Sequence, residues 1–373
     1  MSMTSRERLM AALNHKQPDR VPIDLGGYPG ATSMNVLAYD KLKKYLRLAV
    51  DKELRLANVW MFTAEFDKEI LDKFGVDTCC ATPTISLNDF GTPQQFQDVW
   101  KVNWAFSESD TYAPLDGPFF KENGTLTALR AFDWYTPGEL SNAQEWREKA
   151  TELRQSSDRA LIAKLPLGIV TLTQLLRGFD DWLADLYTNR EFFDELMDRC
   201  AETWIRSATA MIDAVGDQID VFVWGDDYGF QNGPMISPEM FSEVVTPRYK
   251  RMLRTIKEKT NAKILLHSCG SVHAYLDEFI DMGIDALNPI QVSAKDMDPA
   301  RIKDKYGDRI ALWGAVGIDD LISDTPSNVK KLVRRRISEL GKDGGYVLSA
   351  THNLLGDVPL ANVVAMFEAA AES

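Results

Sequence analysis

The chain of 373 residues carries 42 Lys+Arg against 55 Asp+Glu, a net charge of −13, with 45% hydrophobic residues. That balance leaves no basic stripe able to follow a phosphate backbone, so nucleic acid is not expected as a partner; the densest basic run, Lys330, Lys331, Arg334, Arg335 and Arg336, has the spacing of a solvated helix face. No apolar run approaches the roughly 20 residues that span a bilayer, the first residues hold no signal-peptide core, and Cys79, Cys80, Cys200 and Cys269 are too few for a disulfide framework, so a cytoplasmic protein with reduced thiols and no membrane contact is expected.

In chain order, Thr4-Ser5-Arg6-Glu7 has capping-box spacing and starts a helix running to about Asn14. Residues 21–27 read as a first strand ending in a glycine pair, 39–48 and 66–74 as helices, and 76–81 as a second strand. Between residues 82 and 158 the pattern loosens, with Pro83, Gly91, Pro93, Pro114, Pro118, Gly124 and Pro137 breaking up short aromatic stretches. Those runs are too short to enclose a core of their own, so the stretch reads as an inserted flap of hairpins within a single domain over 1–373.

Beyond it the rhythm becomes regular. Strands are expected over 160–165, 219–224, 263–267, 286–288, 310–314 and 345–349. Helices are expected over 171–176, 182–215, 272–282, 299–306, 327–340 and 359–371, with a further one opened by Ser237 as cap and Pro238 in its first turn. Eight strands alternating with helices predict an α/β fold, a closed (β/α)8 TIM barrel of parallel strands with the flap inserted after the second strand.

Such a barrel brings the residues at the C-terminal ends of its strands to one mouth. Asp24, Asp226 with Asp227, His267 with Cys269, Asn288, Trp313, and His352 just after the last strand belong there. His267 and Cys269 stand two apart, so one face of the strand carries both, and a single metal ion can take the pair. Of only four histidines, His267 and His352 both fall at strand ends. Asp226 and Asp227 suit a fourth ligand, a proton relay or an acceptor for a ligating histidine, the alternative being helix capping at a loop. Tyr28, beside Gly26 and Gly27, and Asn288 are expected as polar contacts to substrate.

Several stretches together resemble the uroporphyrinogen decarboxylase superfamily. They are the opening helix from Arg6 to Asn14 with Pro18-Asp19-Arg20-Val21-Pro22, the Ser237-Pro238-Glu239 start, His267-Ser268-Cys269-Gly270, and the run from Gly344 to Ser349 followed by His352-Asn353 and Asp357-Val358-Pro359. Within that superfamily the chain resembles the methylcobamide-dependent methyltransferases more than the tetrapyrrole decarboxylases. The decarboxylases carry an Arg-rich segment after the first strand, where this chain has Asp24-Leu25-Gly26-Gly27-Tyr28, and a catalytic Asp after the second, where it has Ala81-Thr82-Pro83-Thr84.

The resemblance implies a zinc ion held by His267 and Cys269, with a third ligand after the last strand. The family places a Cys there and this chain has His352, which leaves more positive charge on the metal and makes it a stronger Lewis acid. It also implies methyl transfer between a small methylated substrate, such as a methoxylated aromatic or a thiol acceptor, and a corrinoid (cobalamin). No Asp-x-His-x-x-Gly sequence of a cobalamin-binding module occurs, so the corrinoid is expected on a separate protein; a homodimer is implied by analogy. Asp226 and Asp227 are the expected catalytic groups. Asp24, Tyr28, Trp224, Asn288 and Trp313 are expected to bind substrate, and Trp60, Trp100, Trp104 and Trp134 are further sources of apolar wall. A decarboxylase of a carboxylated substrate, or a non-catalytic tetrapyrrole- or corrinoid-binding barrel, are the competing readings.

Overall fold

The computed structural model describes residues 2–48, 53–134, 142–216 and 218–373, so part of the predicted flap, including Pro137, lies outside the described residues. Seven parallel strands form one curled sheet: β1 (Thr78–Cys80), β2 (Ala160–Lys164), β3 (Val221–Gly225), β4 (Lys263–His267), β5 (Ala286–Ile290), β6 (Ala311–Val316) and β7 (Tyr346–Ala350). They pair in chain order from β1 to β7. A helix precedes each of β2 to β7, as parallel crossovers require.

The eighth position of the barrel is filled by residues 22–24, and here the predicted first strand shrinks to a single bridge between Ile23 and Leu348. Leu348 N donates to Pro22 O and Asp24 N to Leu348 O, both at 2.9 Å, while Asp77 N donates to Ile23 O at 2.8 Å, so this segment joins β7 to the chain entering β1. Two features keep it from being a longer strand. Pro22 has no N–H to offer a ladder, and the N–H of Ile23 goes to the Asp77 carboxylate, not to a backbone carbonyl.

Side-chain alternation separates two apolar layers. Ala160, Ile162, Val221, Val223, Leu265, Ala286, Ala311, Trp313 and Val347 fill the barrel interior. Leu9 and Leu13 of the opening helix Ser5–Leu13 join them, so that helix plugs the N-terminal end, and its capping box from Thr4 and Glu7 forms as the sequence predicts. Leu161, Phe222, Trp224, Ile264, Leu266, Leu287 and Leu348 face outward into the large cluster beneath the helices. The helical stretch predicted over 182–215 is two helices, Phe179–Thr188 and Arg190–Val215, broken at Asn189, whose extended φ of −141° interrupts the ladder.

Between β1 and β2 lies the inserted stretch. Its strands Gln95–Gln97, Asn103–Phe106 and Tyr112–Asp116 form an antiparallel sheet, and its helix Ala143–Ser156 packs on the barrel through Trp146 and Ala150. A second small sheet joins Arg55–Asn58, Thr63–Ala64 and Ile85–Ser86. Both are tied to the C-terminal end of the barrel: Met34 bridges Leu354 beyond β7, Asn35 bridges Thr63, and Tyr112 N donates to Trp60 O. Among the described residues no helix is long and apolar enough to cross a membrane.

At the opposite end the closure is held by charge. The fully buried Asp77 carboxylate takes Arg8 at 2.6 Å and Arg20 at 2.7 Å, and Arg8 also grips Asp19 at 2.6 Å. Hydrogen bonding from Arg8 holds the Asp19 carboxyl well below the usual carboxylate range. A carboxyl depressed in the folded state stabilises above its unfolded value of about 3.9, and that contribution is lost as pH falls through the folded value. Asp19→Asn is therefore expected to cost roughly 1 kcal/mol at pH 7, a modest sum because Asp19 is partly exposed, and the gap to wild type should shrink below about pH 4. Urea unfolding of both proteins from pH 7 down to pH 3 measures it, and a gap independent of pH would show that charge plays no part.

Candidate active site and metal centre

Three of the predicted ligands meet at the C-terminal end of the barrel. His267 ends β4, Cys269 follows two residues later, and His352 lies just past β7; one donor atom from each falls within 4.8 Å of the others. Nε2 of His267 is 3.4 Å from Sγ of Cys269, and the two imidazole rings are 5.7 Å apart. No other group of three or more His, Cys, Asp or Glu suited to a metal occurs among the described residues.

The surroundings of the two histidines favour ligation. Nδ1 of His267 is 2.6 Å from Oδ1 of Asn288, its register partner on β5. A proton on Nδ1 donated to that oxygen leaves the Nε2 lone pair facing Cys269 and His352, the arrangement by which a neighbouring acceptor fixes the tautomer of a metal-binding histidine. Burial, with His267 adding to it, holds His352 down to about 4, so its ring is neutral and able to ligate near neutral pH. Burial and then the Asp227 carboxylate push the Cys269 thiol well up; a cation at this point reverses that balance and favours the thiolate.

The adjacent aspartates separate. Asp227 Oδ1 accepts the N–H of Cys269 at 2.8 Å and lies 3.9 Å from Nε2 of His267, with its side chain about half exposed, so it borders the metal donors. Asp226 is only 1% exposed and turns the other way. Its oxygens accept the N–H groups of Val170 at 3.1 Å and Thr171 at 2.6 Å, at the start of helix Ile169–Arg177, together with the hydroxyls of Thr171, Tyr228 and Tyr249. Burial pushes this carboxyl up to about 6, against the pull of those hydrogen bonds. Asp226 thus caps the start of that helix, where a catalytic group bordering the metal donors was expected. Gly168 makes the arrangement possible, since a Cβ there would fall 2.2 Å from that of Asp226.

The expected substrate contacts divide in the same manner. Trp224 is completely buried on the outer face of β3, stacked on Tyr249 at 5.6 Å and edge-on to Trp204, because alternation gives the inner face to Val223 and Gly225. Trp313 does point inward, but below the mouth, where it is fully buried and donates Nε1 to Asp24 Oδ2 at 2.9 Å. Asp24 Oδ1 takes Thr78 at 2.6 Å and Gly27 N at 2.9 Å, so this buried carboxyl is committed to the barrel's interior. Neither Trp224, Trp313 nor Asp24 offers surface to a substrate. Tyr28 stays at the mouth, its ring 5.7 Å from that of His267. It fits because residue 225 is glycine: a Cβ there would lie 2.6 Å from the Tyr28 hydroxyl. Asn288 serves first to hold His267; its Nδ2 is buried without a partner.

Lys164, Tyr249 and Gly225 were not singled out by sequence reasoning. Lys164 closes an apolar strand run, the same signal that marked His267; nothing local marks Tyr249, which reaches Asp226 from a helix 23 residues further on.

With this geometry in place, comparison with known proteins is decisive for family. The family model described as uroporphyrinogen decarboxylase (URO-D) matches residues 96–373. The chain belongs to the uroporphyrinogen decarboxylase family. Among members of known activity it is similar to the methylcobamide:CoM methyltransferase MtaA of Methanosarcina barkeri, 26% identical over 203 residues, 54% of this chain and 55% of that protein. It is also similar to MtbA of Methanosarcina mazei, 23% identical over 209 residues, 55% and 56% of the two chains. A uroporphyrinogen decarboxylase of Saccharophagus degradans is 23% identical over 197 residues, 52% of each chain. The chain spans about half the length of the curated relatives it matches. A solved methyltransferase from Methanosarcina mazei shares the fold, with a TM-score of 0.68 at 18% identity over 100% of this chain and 99% of that one.

For this family member the two aspartates should respond in opposite ways. Asp226→Ala strands several buried donors and is expected to cost about 2–4 kcal/mol of stability while leaving metal stoichiometry unchanged. Asp227→Ala should fold normally and bind metal more weakly, by roughly 10–100-fold, the usual effect of losing a group that supports metal ligands. Denaturant melts and competitive metal titration of both variants separate the two roles.

Proposed function

We propose that the protein is a methyltransferase that moves a methyl group between a small methylated substrate and a corrinoid carried by a separate protein, at a zinc ion held by His267, Cys269 and His352. The single observation that carries this is the convergence of those three donors within 4.8 Å at the mouth of the barrel. Two imidazoles and one thiol are a donor set that zinc accepts in tetrahedral sites with an open position, and the Asn288 contact leaves His267 Nε2 available. The methyltransferases MtaA and MtbA among its relatives support the same reaction class.

When bound, zinc supplies Lewis acidity that acidifies a thiol or polarises a methoxy oxygen. The chain's own groups do the rest. Asp227 keeps Oδ1 on the Cys269 N–H, fixing the thiol-bearing loop, and its half-exposed carboxylate is placed to accept a proton from an incoming thiol or pass one to a leaving alkoxide. Tyr28 presents a hydroxyl beside His267 that burial keeps protonated, so it acts as a donor to substrate and not as a base. The two small antiparallel sheets are tied to this end through Asn35 and Tyr112. The chain works as one unit in this reading, the strands Gln95–Gln97, Asn103–Phe106 and Tyr112–Asp116 belonging to the barrel's mouth.

Elemental analysis of freshly purified protein should give about one zinc per chain, lost in Cys269→Ala, as expected when a deprotonated ligand is removed. With zinc loaded, methylcobalamin formation or consumption, followed by its absorbance in the presence of methoxylated aromatics or thiols, should depend on Cys269. Zinc-free protein that instead releases carbon dioxide from a carboxylated substrate would replace this reading with a decarboxylase.

A further inference from the structure

Lys164 is the last residue of β2, two beyond Ile162 on the face that lines the barrel interior. Its ammonium stands 4.7 Å from the centroid of the Trp60 ring, whose indole is stacked at 5.7 Å on Trp104 of the insertion. Lys149, the other cation that acts on Cys80, is paired with Glu65, which Arg55 also reaches. Among the described residues Lys164 has no ion pair, and the contact of its backbone N–H with Thr82 Oγ1 at 3.1 Å leaves the ammonium unmatched. An ammonium taken out of water without an anion is costly, and a ring face offsets that only in part. Burial brings Lys164 down to about 8, with the Cys80 side chain as the one charge-bearing neighbour pulling the other way.

Its placement relative to the metal donors follows from register. Lys164 pairs with Val223 on β3, and His267 pairs with Gly225 on the same strand, so only β3 separates the lysine from the metal-binding strand. Gly225 has no side chain, and the Tyr28 hydroxyl occupies that gap. Two further groups here lack partners: Nδ2 of Asn288, which is buried, and the Tyr28 hydroxyl, which makes no protein hydrogen bond among the described residues. Both of these groups can donate a hydrogen bond, as the ammonium can. Of the nearby carboxylates, Asp24 is engaged by Thr78, Gly27 and Trp313, and Asp227 Oδ1 accepts from Cys269 N.

We propose that Lys164 binds the acid group, a carboxylate or a sulfonate, of the small molecule on which the metal site acts. The inference rests on the methyltransferase reading for the identity of that molecule as methyl donor or acceptor, and narrows it to compounds carrying an anion. Calorimetric titration of the protein as purified with 4-methoxybenzoate, with its methyl ester and with 2-mercaptoethanesulfonate tests it, repeated on Lys164→Gln, Lys164→Met and Lys164→Arg. At least one acid should bind wild type and bind the Gln and Met variants about 10–100-fold more weakly, the usual loss for a charge-assisted contact, while the Arg variant keeps most of the affinity and the ester binds all forms equally weakly. Binding of the methoxybenzoate identifies an aromatic acid, and binding of the thiol sulfonate an aliphatic acceptor. Acid affinity within twofold of wild type in both neutral variants, an ester that binds as tightly as its acid, or no binding of either acid would overturn the inference. The same pair of titrations in a Cys269→Ala background keeps the two readings apart, since a Lys164-dependent affinity that survives there leaves this inference standing even if the zinc assignment fails.

Discussion

Closure of the barrel at residues 22–24 is the constraint on which everything else depends. His267 and Cys269 leave the sheet at β4, whereas His352 leaves it at β7, and only a sheet curled on itself brings those strand ends together. Yet the closing segment makes one bridge, to Leu348. The missing ladder is replaced by Asp77, whose carboxylate accepts the Ile23 N–H and two arginines while its backbone N–H donates to Ile23 O and its carbonyl accepts from Ala160 N. A buried carboxylate with this many donors is costly to desolvate and costlier to disrupt, so it specifies geometry more than it adds stability. The consequence is a division of labour along the barrel axis. Charge fixes the N-terminal end, and the C-terminal end is left free for chemistry.

At that free end, support for the metal donors comes from neighbouring strands. Asn288 on β5 orients His267 on β4, and Asp227 beyond β3 fixes the backbone of Cys269. His267 is thus held from within the rigid sheet, and Cys269 from the residues just past the adjacent strand. The loop carrying His352 is secured differently, through Asn353, which accepts Ser33 N and donates to Gly30 O. The Tyr28 loop and the His352 loop therefore form one connected rim.

Much of this was legible in the sequence, for definable reasons. Parallel strands buried on both faces are apolar runs of fixed length, so β2 to β7 and their polar terminal residues stand out, and the helix over Pro299–Tyr306 forms where it was expected. The convergence of His267, Cys269 and His352 followed from the fold class, because strand ends of a barrel share a mouth. What was not legible depended on packing. Helix Ala143–Ser156 buries only Trp146 and Ala150 and so shows little apolar period. The break at Asn189 interrupts a pattern that is apolar on both sides. The first strand contained Pro22, and its shortening was set by the side chain of Asp77, 54 residues away. Residue type alone also assigned Asp24, Trp224 and Trp313 to a substrate. Whether a polar or aromatic group at a strand end faces ligand, core or helix layer is decided by alternation counted from an exact boundary, and boundaries are what a single sequence gives least well.

That dependence on parity has a consequence for how this protein can diverge. Asp226 and Asp227 are chemically the same residue, and their separate duties come only from being one step apart where β3 ends, one turned to the helix layer and the other to the mouth. A one-residue insertion or deletion between Val221 and Trp224 would turn each later side chain of β3 to the opposite face, bringing Trp224 into the interior and moving the gap at Gly225 away from Tyr28. Many replacements along β3 conserve that parity, whereas a one-residue change in its length does not. Descendants of this chain should therefore vary more freely in the insertion before β2, while the spacing through β3 stays fixed to the residue.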